Sequence, residues 1–168
     1  SLRLGSSGDA HLLWGELSTY PAIYYASNTP GDWSVVQIVP QGPPGFSAHM
    51  ALDRAQSPHL SRIVKGTGDE ITGVAHETPA DDPAVLPWTG EPVEQGERTS
   101  VDRFTMTSIE LTPTGALSVA YIMRRADVTE LRYATRAGGA WTQQTVAGFG
   151  AAEVSVVGHA PSDRGPTR

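Results

Sequence analysis

Short apolar or alternating runs, separated by turn residues, dominate the chain. No segment keeps apolar residues at i, i+3, i+4 and i+7 over three turns, and the nearest, Arg124 to Ala134, is short with sparse apolar positions. Turn signals such as Thr29-Pro30-Gly31 separate runs that have the length of strands, so the pattern predicts an all-β fold. The predicted strands are His11–Trp14, Ala22–Ala26, Ser34–Val39, His49–Leu52, His59–Val64, Thr105–Thr112, Leu117–Met123, Leu131–Thr135, Thr142–Val146 and Glu153–Val157.

An internal repeat organises these strands. Residues 23–34 and 131–142 align without a gap, at an offset of 108 residues. The shared residues are Tyr25 with Tyr133, Ala26 with Ala134, Gly31 with Gly139, and Trp33 with Trp141. A third tryptophan, Trp88, lies between the two copies, so the unit is about 54 residues long and the offset spans two units.

A second element repeats in phase with the first. Residues 4–12, 52–60 and 111–119 each give the end of one strand, a polar turn and the start of the next, and residues 157–163 resemble the start of a fourth copy. One unit then holds four antiparallel strands, which is typical of a β-propeller blade. The predicted blades are 1–45, 46–101 and 102–150, with a further blade beginning at 151–168. The alternative is a β-sandwich with accidental internal similarity.

The repeated segment, with Tyr-Ala followed by Gly, Trp and a β-branched residue, resembles bacterial β-propeller repeats of the sialidase-like, Asp-box-related kind. Residues 27–33 keep Ser27, Gly31 and Trp33 of the Asp-box but lack an aspartate at its third position. In that family the box is a structural turn, so the resemblance implies a propeller fold and no catalytic role for this segment. Such propellers serve as lectin-like modules, scaffolds, hydrolases and lyases.

The phase of the repeat also bears on completeness. Ser1 falls in the first strand of a blade and Arg168 falls after the first strand of another, so both ends are expected to lie within blades. Three blades do not close a ring, and an open ring exposes sheet faces and edges. We therefore expect the remaining blades to come from the same longer polypeptide or from another chain.

Composition narrows the classes of partner. The chain has 12 Lys+Arg against 18 Asp+Glu, a net charge of −6 and a single lysine, Lys65, which argues against nucleic acid or an anionic membrane surface as partner. No apolar run approaches the length of a membrane span. The absence of cysteine excludes disulfides, thiolate nucleophiles and Cys-ligated metal sites, and no cofactor is expected.

Ligands of propellers usually bind at one end of the ring, on loops that join second to third strands or lead to the next blade. Aromatic and charged side chains near these loops suit sugar stacking and polar recognition, although each can equally pack or solvate an ordinary loop. The candidate binding residues are Trp14, Glu16, Tyr20, Arg62, Tyr121, Arg124 and Arg125. The stretch 65–96 lacks the Tyr-Ala strand and predicts an inserted specificity loop or interaction arm.

Several residues suggest chemistry and also have simpler interpretations. His76-Glu77 with Asp81-Asp82 offers oxygen ligands for Ca²⁺, but a solvated acidic loop is the favoured interpretation. His11 and His59 occupy equivalent positions at the start of second strands. Because a residue that recurs from blade to blade is typical of packing rather than of catalysis, we predict a structural role for both.

A tyrosine nucleophile would need a carboxylate base and an arginine cluster, and no such set can be assigned from this chain. The leading hypothesis is therefore a non-catalytic propeller module that binds glycan or protein within a larger bacterial protein. The alternative is part of a carbohydrate-active enzyme, either a sialidase-like hydrolase or a propeller-type polysaccharide lyase with a Tyr–His acid–base pair.

Overall fold

The computed structural model describes residues 1–16, 22–28, 32–39, 47–65, 71–84, 87–96, 103–112, 114–125 and 128–150. These residues form strands and turns and contain no helix. The strands are β1 (Leu2–Leu4), β2 (Ala10–Glu16), β3 (Ala22–Ser27), β4 (Ser34–Val39), β5 (Ala48–Leu52), β6 (Pro58–Lys65), β7 (Ile71–Pro79), β8 (Trp88–Gln95), β9 (Arg103–Leu111), β10 (Leu117–Arg125), β11 (Val128–Ala137) and β12 (Ala140–Gly150).

Each run of four consecutive strands pairs antiparallel into one four-stranded sheet, in the order of the chain. We refer to the sheets as blade 1 (β1–β4), blade 2 (β5–β8) and blade 3 (β9–β12). Blade 2 packs between the other two, with its first strand β5 against β1 and β9. Meanders of four strands that stack face to face are propeller blades, which confirms the predicted fold class.

The three blades share one register. A row of cross-strand neighbours runs through each sheet: Leu2, Leu12, Ala26 and Val35 in blade 1; Met50, Leu60, Glu77 and Gly90 in blade 2; Ile109, Val119, Ala134 and Gln143 in blade 3. Because side chains alternate between the faces of a strand, equivalent residues face equivalent directions in each blade. Each of these rows faces the side where a preceding blade stacks.

Apolar clusters fill both interfaces between blades. Between blades 1 and 2, Leu13 and Tyr25 pack with Met50 and Leu60, and all four are at most 3% exposed. Between blades 2 and 3, the side chains include Ile63, Val74, Val93, Ile109 and Val119. Burying one such aliphatic side chain contributes about 1.5–3 kcal/mol, so stacking provides much of the stability that a lone sheet lacks.

The repeated tryptophan fills the wedge between neighbouring blades. Trp88 of blade 2 packs on Tyr25 of blade 1, with ring centroids 5.4 Å apart. Trp141 of blade 3 packs on His76 of blade 2, with centroids 5.8 Å apart. At both interfaces, the tryptophan that leads a fourth strand lies on the third-strand ring of the blade before it.

The stretch 65–96 corrects one expectation. In place of an inserted loop, it holds a regular third strand, β7, which pairs with β6 and β8. His76-Glu77 takes the register of the Tyr-Ala pair in the other blades, so the strand persists with different chemistry. The neighbouring strand β8 passes close to Gly73. A Cβ at this position would lie 2.3 Å from the carbonyl oxygen of Glu94.

The described part of the chain contains no helix of the length and hydrophobicity that a bilayer span requires. Residues 151–168, where a further blade is predicted to begin, lie outside the described residues.

Candidate functional site

Three of the predicted binding residues occupy one equivalent position. Trp14, Arg62 and Tyr121 each follow the second-strand member of the shared row by two residues, so they lie on the same face of their blades. This face is the one turned toward a preceding blade. The three side chains nevertheless have different neighbours, and Arg62 lines a pocket in blade 2.

In blade 2, Arg62 and Glu77 form a charged pair inside a pocket of about 430 Å³. The Arg62 Nε donates to Glu77 Oε1 at 2.5 Å, and the two side chains are 20% and 8% exposed. A nearly buried carboxylate is costly unless it is paired, and Arg62 provides that pair for Glu77. The rest of the pocket is lined by Val64, Gly73, Val74, Ala75, Gly90, Glu91, Pro92, Glu94, Gln95 and Gly96.

The pocket lies toward one end of blade 2. Its lining comes from the end of β6, the beginning of β7 and the end of β8. The segments that continue from these strand ends, residues 66–70 and 97–102, are outside the described residues. This is the end at which the sequence places ligand-binding loops.

Two further carboxylates of the pocket connect blade 2 with blade 3. Glu94 accepts a hydrogen bond from the Tyr121 hydroxyl and pairs with Arg132 Nη1 at 3.0 Å. Glu91 pairs with Arg136 Nε at 2.8 Å and with His76 Nδ1 at 3.0 Å. These contacts fix the outer strand β8 against blade 3. Glu77, by contrast, is paired with an arginine of its own blade, Arg62.

A chain of titratable side chains leads from the Glu91–Arg136 pair into blade 2. His76 Nε2 lies 3.0 Å from His59 Nδ1, and His59 Nε2 lies 3.5 Å from Asp53 Oδ2. Burial lowers the pKa of His76, and Arg136 and His59 act in the same direction while Glu91 opposes them. Burial alone would raise the pKa of Glu91, but the hydrogen bond from His76 and the charge of Arg136 hold that pKa below its usual range.

The His59–His76 contact belongs to a feature that recurs in every blade. His11 Nδ1 lies 2.7 Å from the Tyr25 hydroxyl, and the Tyr133 hydroxyl donates to Ser118 Oγ at 2.8 Å. In each blade, a polar residue near the start of the second strand contacts a ring side chain on the third strand. That ring lies two residues away from the direct cross-strand neighbour of the polar residue. The recurrence supports the structural interpretation of His11 and His59.

In blade 1, Trp14 belongs to an aromatic cluster. Its ring stacks on Tyr24 with centroids 5.4 Å apart and planes inclined by 16°, and the Tyr24 hydroxyl donates to Glu16 Oε2 at 3.2 Å. Trp14 is 42% exposed, because no blade covers this face in the described part of the chain. The structure thus brings two of the predicted residues, Trp14 and Glu16, together through Tyr24.

The other predicted residues do not join either group. Tyr121 is 1% exposed in the core between blades 2 and 3, so it is a packing residue, and burial raises its pKa together with the Glu94 hydrogen bond. Arg124 is exposed on the opposite face of β10. Tyr20 lies outside the described residues, and Arg125 ends β10 with a side chain that is not described.

The acidic stretch of blade 2 has separate structural roles. His76 and Glu77 are neighbours in β7 and therefore face opposite sides of the sheet. Asp82 Oδ1 accepts the backbone N–H of Ala84 at 2.8 Å in the turn that follows. No group of three or more His, Cys, Asp or Glu side chains with the geometry of a metal site occurs among the residues that the structure describes.

Sequence reasoning did not single out Glu91, Glu94, Arg132 or Arg136. Their contacts join β8 to β11, and no local motif marks residues so far apart in the chain. The Arg62–Glu77 pair could have been predicted from the sequence. When β7 is aligned in the register of β3, Glu77 lies on the face of blade 2 that also carries Arg62.

Comparison with solved structures identifies the fold. A fucose lectin from Kordia zhangzhouensis, in complex with methyl-fucoside, is similar with a TM-score of 0.50 and 15% identity over 85% of this chain and 95% of the lectin chain. Fructan 1-exohydrolase IIa from Cichorium intybus, in complex with 1-kestose, is similar with a TM-score of 0.54 and 12% identity over 86% of this chain and 31% of the hydrolase chain. Both are propeller proteins.

The chain has a β-propeller fold. Sequence comparisons give no match to a family model or to a curated protein. At these identities the structural likeness concerns the fold alone, so the sialidase-like type of the repeat stays a prediction.

Proposed function

We propose that this propeller is a glycan-binding module and that the sugar binds in the pocket of blade 2. The observation that carries the proposal is the Arg62–Glu77 pair, which lies within a pocket of about 430 Å³. This volume falls in the range of small-molecule sites, about 300–1,000 Å³. Roles in carbohydrate binding or carbohydrate chemistry agree with the two structural neighbours, a lectin and a hydrolase.

The pair supplies the complementary groups that sugar hydroxyls require. A hydroxyl group both donates and accepts hydrogen bonds, an ionised carboxylate only accepts, and a guanidinium only donates. Adjacent hydroxyls on one ring can therefore donate to Glu77 and accept from Arg62 at the same time. Val64 and Pro92 provide apolar walls for the C–H faces of a sugar, and Gln95 adds an amide at the rim.

Binding fits the pocket better than hydrolysis. Glycoside hydrolysis needs a carboxylic acid whose pKa is raised so that it can protonate the leaving group. Glu91 has its pKa lowered instead, while Glu77 and Glu94 are each paired with an arginine. We therefore favour the binding hypothesis over the hydrolase alternative for this pocket.

A glycan array probed with the labelled chain tests the proposal, followed by calorimetry with the strongest ligand. We expect Glu77→Gln to weaken binding at least tenfold, because it removes the charge that strengthens hydrogen bonds from sugar hydroxyls. Glu130→Gln is the matched control, because Glu130 lies outside the pocket and pairs with Arg132 at 3.5 Å. A folded chain that binds no glycan, or equal affinity of both variants, would overturn the proposal.

A further inference from the structure

The pocket of blade 2 holds a single basic side chain, Arg62, among the lining residues that the structure describes. Its Nε donates to Glu77 Oε1 at 2.5 Å, so a carboxylate inside the pocket already opposes the positive charge. Arginine recognises a carboxylate or sulfate best through two parallel N–H groups. Because Nε is committed to Glu77, the guanidinium cannot offer its Nε side to an anionic ligand without separating from that partner.

The other charged side chains of the described lining are acidic. Glu91 and Glu94 pair with Arg136 and Arg132 of blade 3, so those two guanidinium groups are committed as well. Burial lowers the pKa of His76, which contacts Glu91, so this imidazole adds no positive charge at neutral pH. A negatively charged ligand would therefore meet like charges in a site that is partly shielded from water.

The carboxylate of Glu77 is specific to blade 2. Its register equivalents in the other two blades are Ala26 and Ala134, which are 2% and 0% exposed. Small apolar side chains thus satisfy the packing of a blade at this position. A buried ion pair is often no more stabilising than apolar side chains of similar volume, so packing alone does not account for the pair.

The residues around the pair leave room for a ligand. Gly90 is the cross-strand neighbour of Glu77, and its register equivalents in the other blades are Val35 and Gln143. A Cβ at Gly90 would lie 3.3 Å from Glu77 Oε1, so a larger side chain would press on the carboxylate. In the next row, Ala75 is also smaller than its equivalents in the other blades. The space beside Glu77 therefore exists in blade 2 because both neighbouring positions are small.

We propose that the blade 2 pocket selects uncharged sugars and excludes sugars that carry a carboxylate or a sulfate, and that Glu77 is the residue that determines this selection. The inference rests on the proposed glycan binding and names the class of ligand. A sugar hydroxyl donates to Glu77 while a neighbouring hydroxyl accepts from Arg62, so the ion pair stays intact. A carboxylate or sulfate only accepts, so it competes with Glu77 for Arg62 and is repelled by it.

A glycan array that contains neutral glycans beside their sialylated, sulfated and uronate-containing counterparts tests the selection. Calorimetry at about pH 7.5 then compares the strongest ligand with its counterpart of the other charge class, so that the two differ in one acidic group. We expect the acidic member of the pair to bind the wild-type chain about tenfold more weakly or worse, because it introduces a like charge beside Glu77.

Glu77→Gln should change the selectivity as well as the affinity. This substitution removes the charge that opposes an anion and releases Arg62, so the neutral member should lose affinity while the acidic member keeps or gains it. The ratio of the two affinities should shift by about tenfold or more toward the acidic sugar. Glu130→Gln removes the same charge outside the pocket and is the control, since it should leave the ratio unchanged.

The outcomes separate this inference from glycan binding itself. Wild-type chain that binds the acidic member as tightly as the neutral one would overturn the selection and leave glycan binding intact. An unchanged ratio in Glu77→Gln would overturn the role of Glu77. Folded wild-type chain that binds neither kind of glycan would overturn the proposed function and this inference with it. If Glu77→Gln does not fold, the comparison on the wild-type chain still decides the selection.

Discussion

The indole of Trp88 lies on the ring of Tyr25 from the preceding blade, with centroids 5.4 Å apart and planes inclined by 58°. Tyr25 is fully buried by this contact and its neighbours, and its hydroxyl lies 2.7 Å from His11 Nδ1. One side chain thus joins the stacking between blades to a hydrogen bond within a blade.

Replacing Trp88 should destabilise the stack of three blades. We expect Trp88→Ala to lower the free energy of unfolding by about 3 kcal/mol, the usual loss for a large aromatic side chain in a packed site. Urea unfolding followed by circular dichroism measures the loss. Asp81→Ala, at an exposed turn position close by in sequence, is the control and should change stability by less than about 0.5 kcal/mol. Equal stability of both variants would contradict the role of Trp88 in packing.

The Arg62–Glu77 pair should show the asymmetry of a buried ion pair. Arg62→Met leaves Glu77 unpaired at 8% exposure and should cost about 3 kcal/mol. The double variant Arg62→Met with Glu77→Leu should recover most of that loss, because it removes both charges. Chemical unfolding of the single and double variants measures this coupling, and a double variant that is less stable than Arg62→Met would contradict it. Neither variant should bind glycan, since both lack the arginine.

Acidification should weaken the fold through its buried histidines. Burial lowers the pKa of His11, His49 and His76 below the ordinary range of histidine. The unfolded chain therefore takes up protons first, so stability is complete above about pH 6.5 and is lost as the pH falls toward the lowered values.

Unfolding by urea at about pH 7.5 and about pH 5.5 measures this loss, and His76→Asn should reduce its size. NMR titration of the imidazole signals gives each pKa directly. A His76 signal that titrates above about pH 6.5 would contradict the account.

Gly73 should tolerate no side chain. A Cβ at this position would lie 2.3 Å from the Glu94 carbonyl oxygen, so Gly73→Ala must push β8 away from β7. We expect a loss of about 1–3 kcal/mol in thermal or chemical unfolding. Gly150→Ala is the matched control in a strand, because a Cβ there meets nothing within 4 Å. Equal melting temperatures for the two variants would contradict the close approach.

Much of the fold was predictable from the sequence because a propeller repeats its local pattern. The spacing of Trp33, Trp88 and Trp141 gave the unit, and alternation within short runs gave the strands. Strand β7 was missed because its Tyr-Ala signature is replaced by His76-Glu77, although the register is unchanged. The prediction of this strand depended on the aromatic Tyr-Ala signature. The backbone of β7 pairs with its neighbours in the same way without that signature.

The candidate site was less predictable because its contacts are not local. Arg62 was singled out from its place near the end of a second strand, but its partner Glu77 lies on the next strand in a segment assigned to a loop. Tyr121 has the same register position as Arg62 and is buried, because blade 2 covers it. Side chains at equivalent positions of a repeat therefore face the same way, but the packing of the neighbouring blade determines whether they are exposed to a ligand.

The most direct test of the glycan-binding account is a crystal structure of the chain grown with the strongest glycan from the array. The account predicts electron density for a sugar in the blade 2 pocket, with hydroxyl groups within hydrogen-bond distance of Glu77 and Arg62. A sugar bound only at another place, such as the Trp14–Tyr24 cluster, with the blade 2 pocket empty, would contradict it.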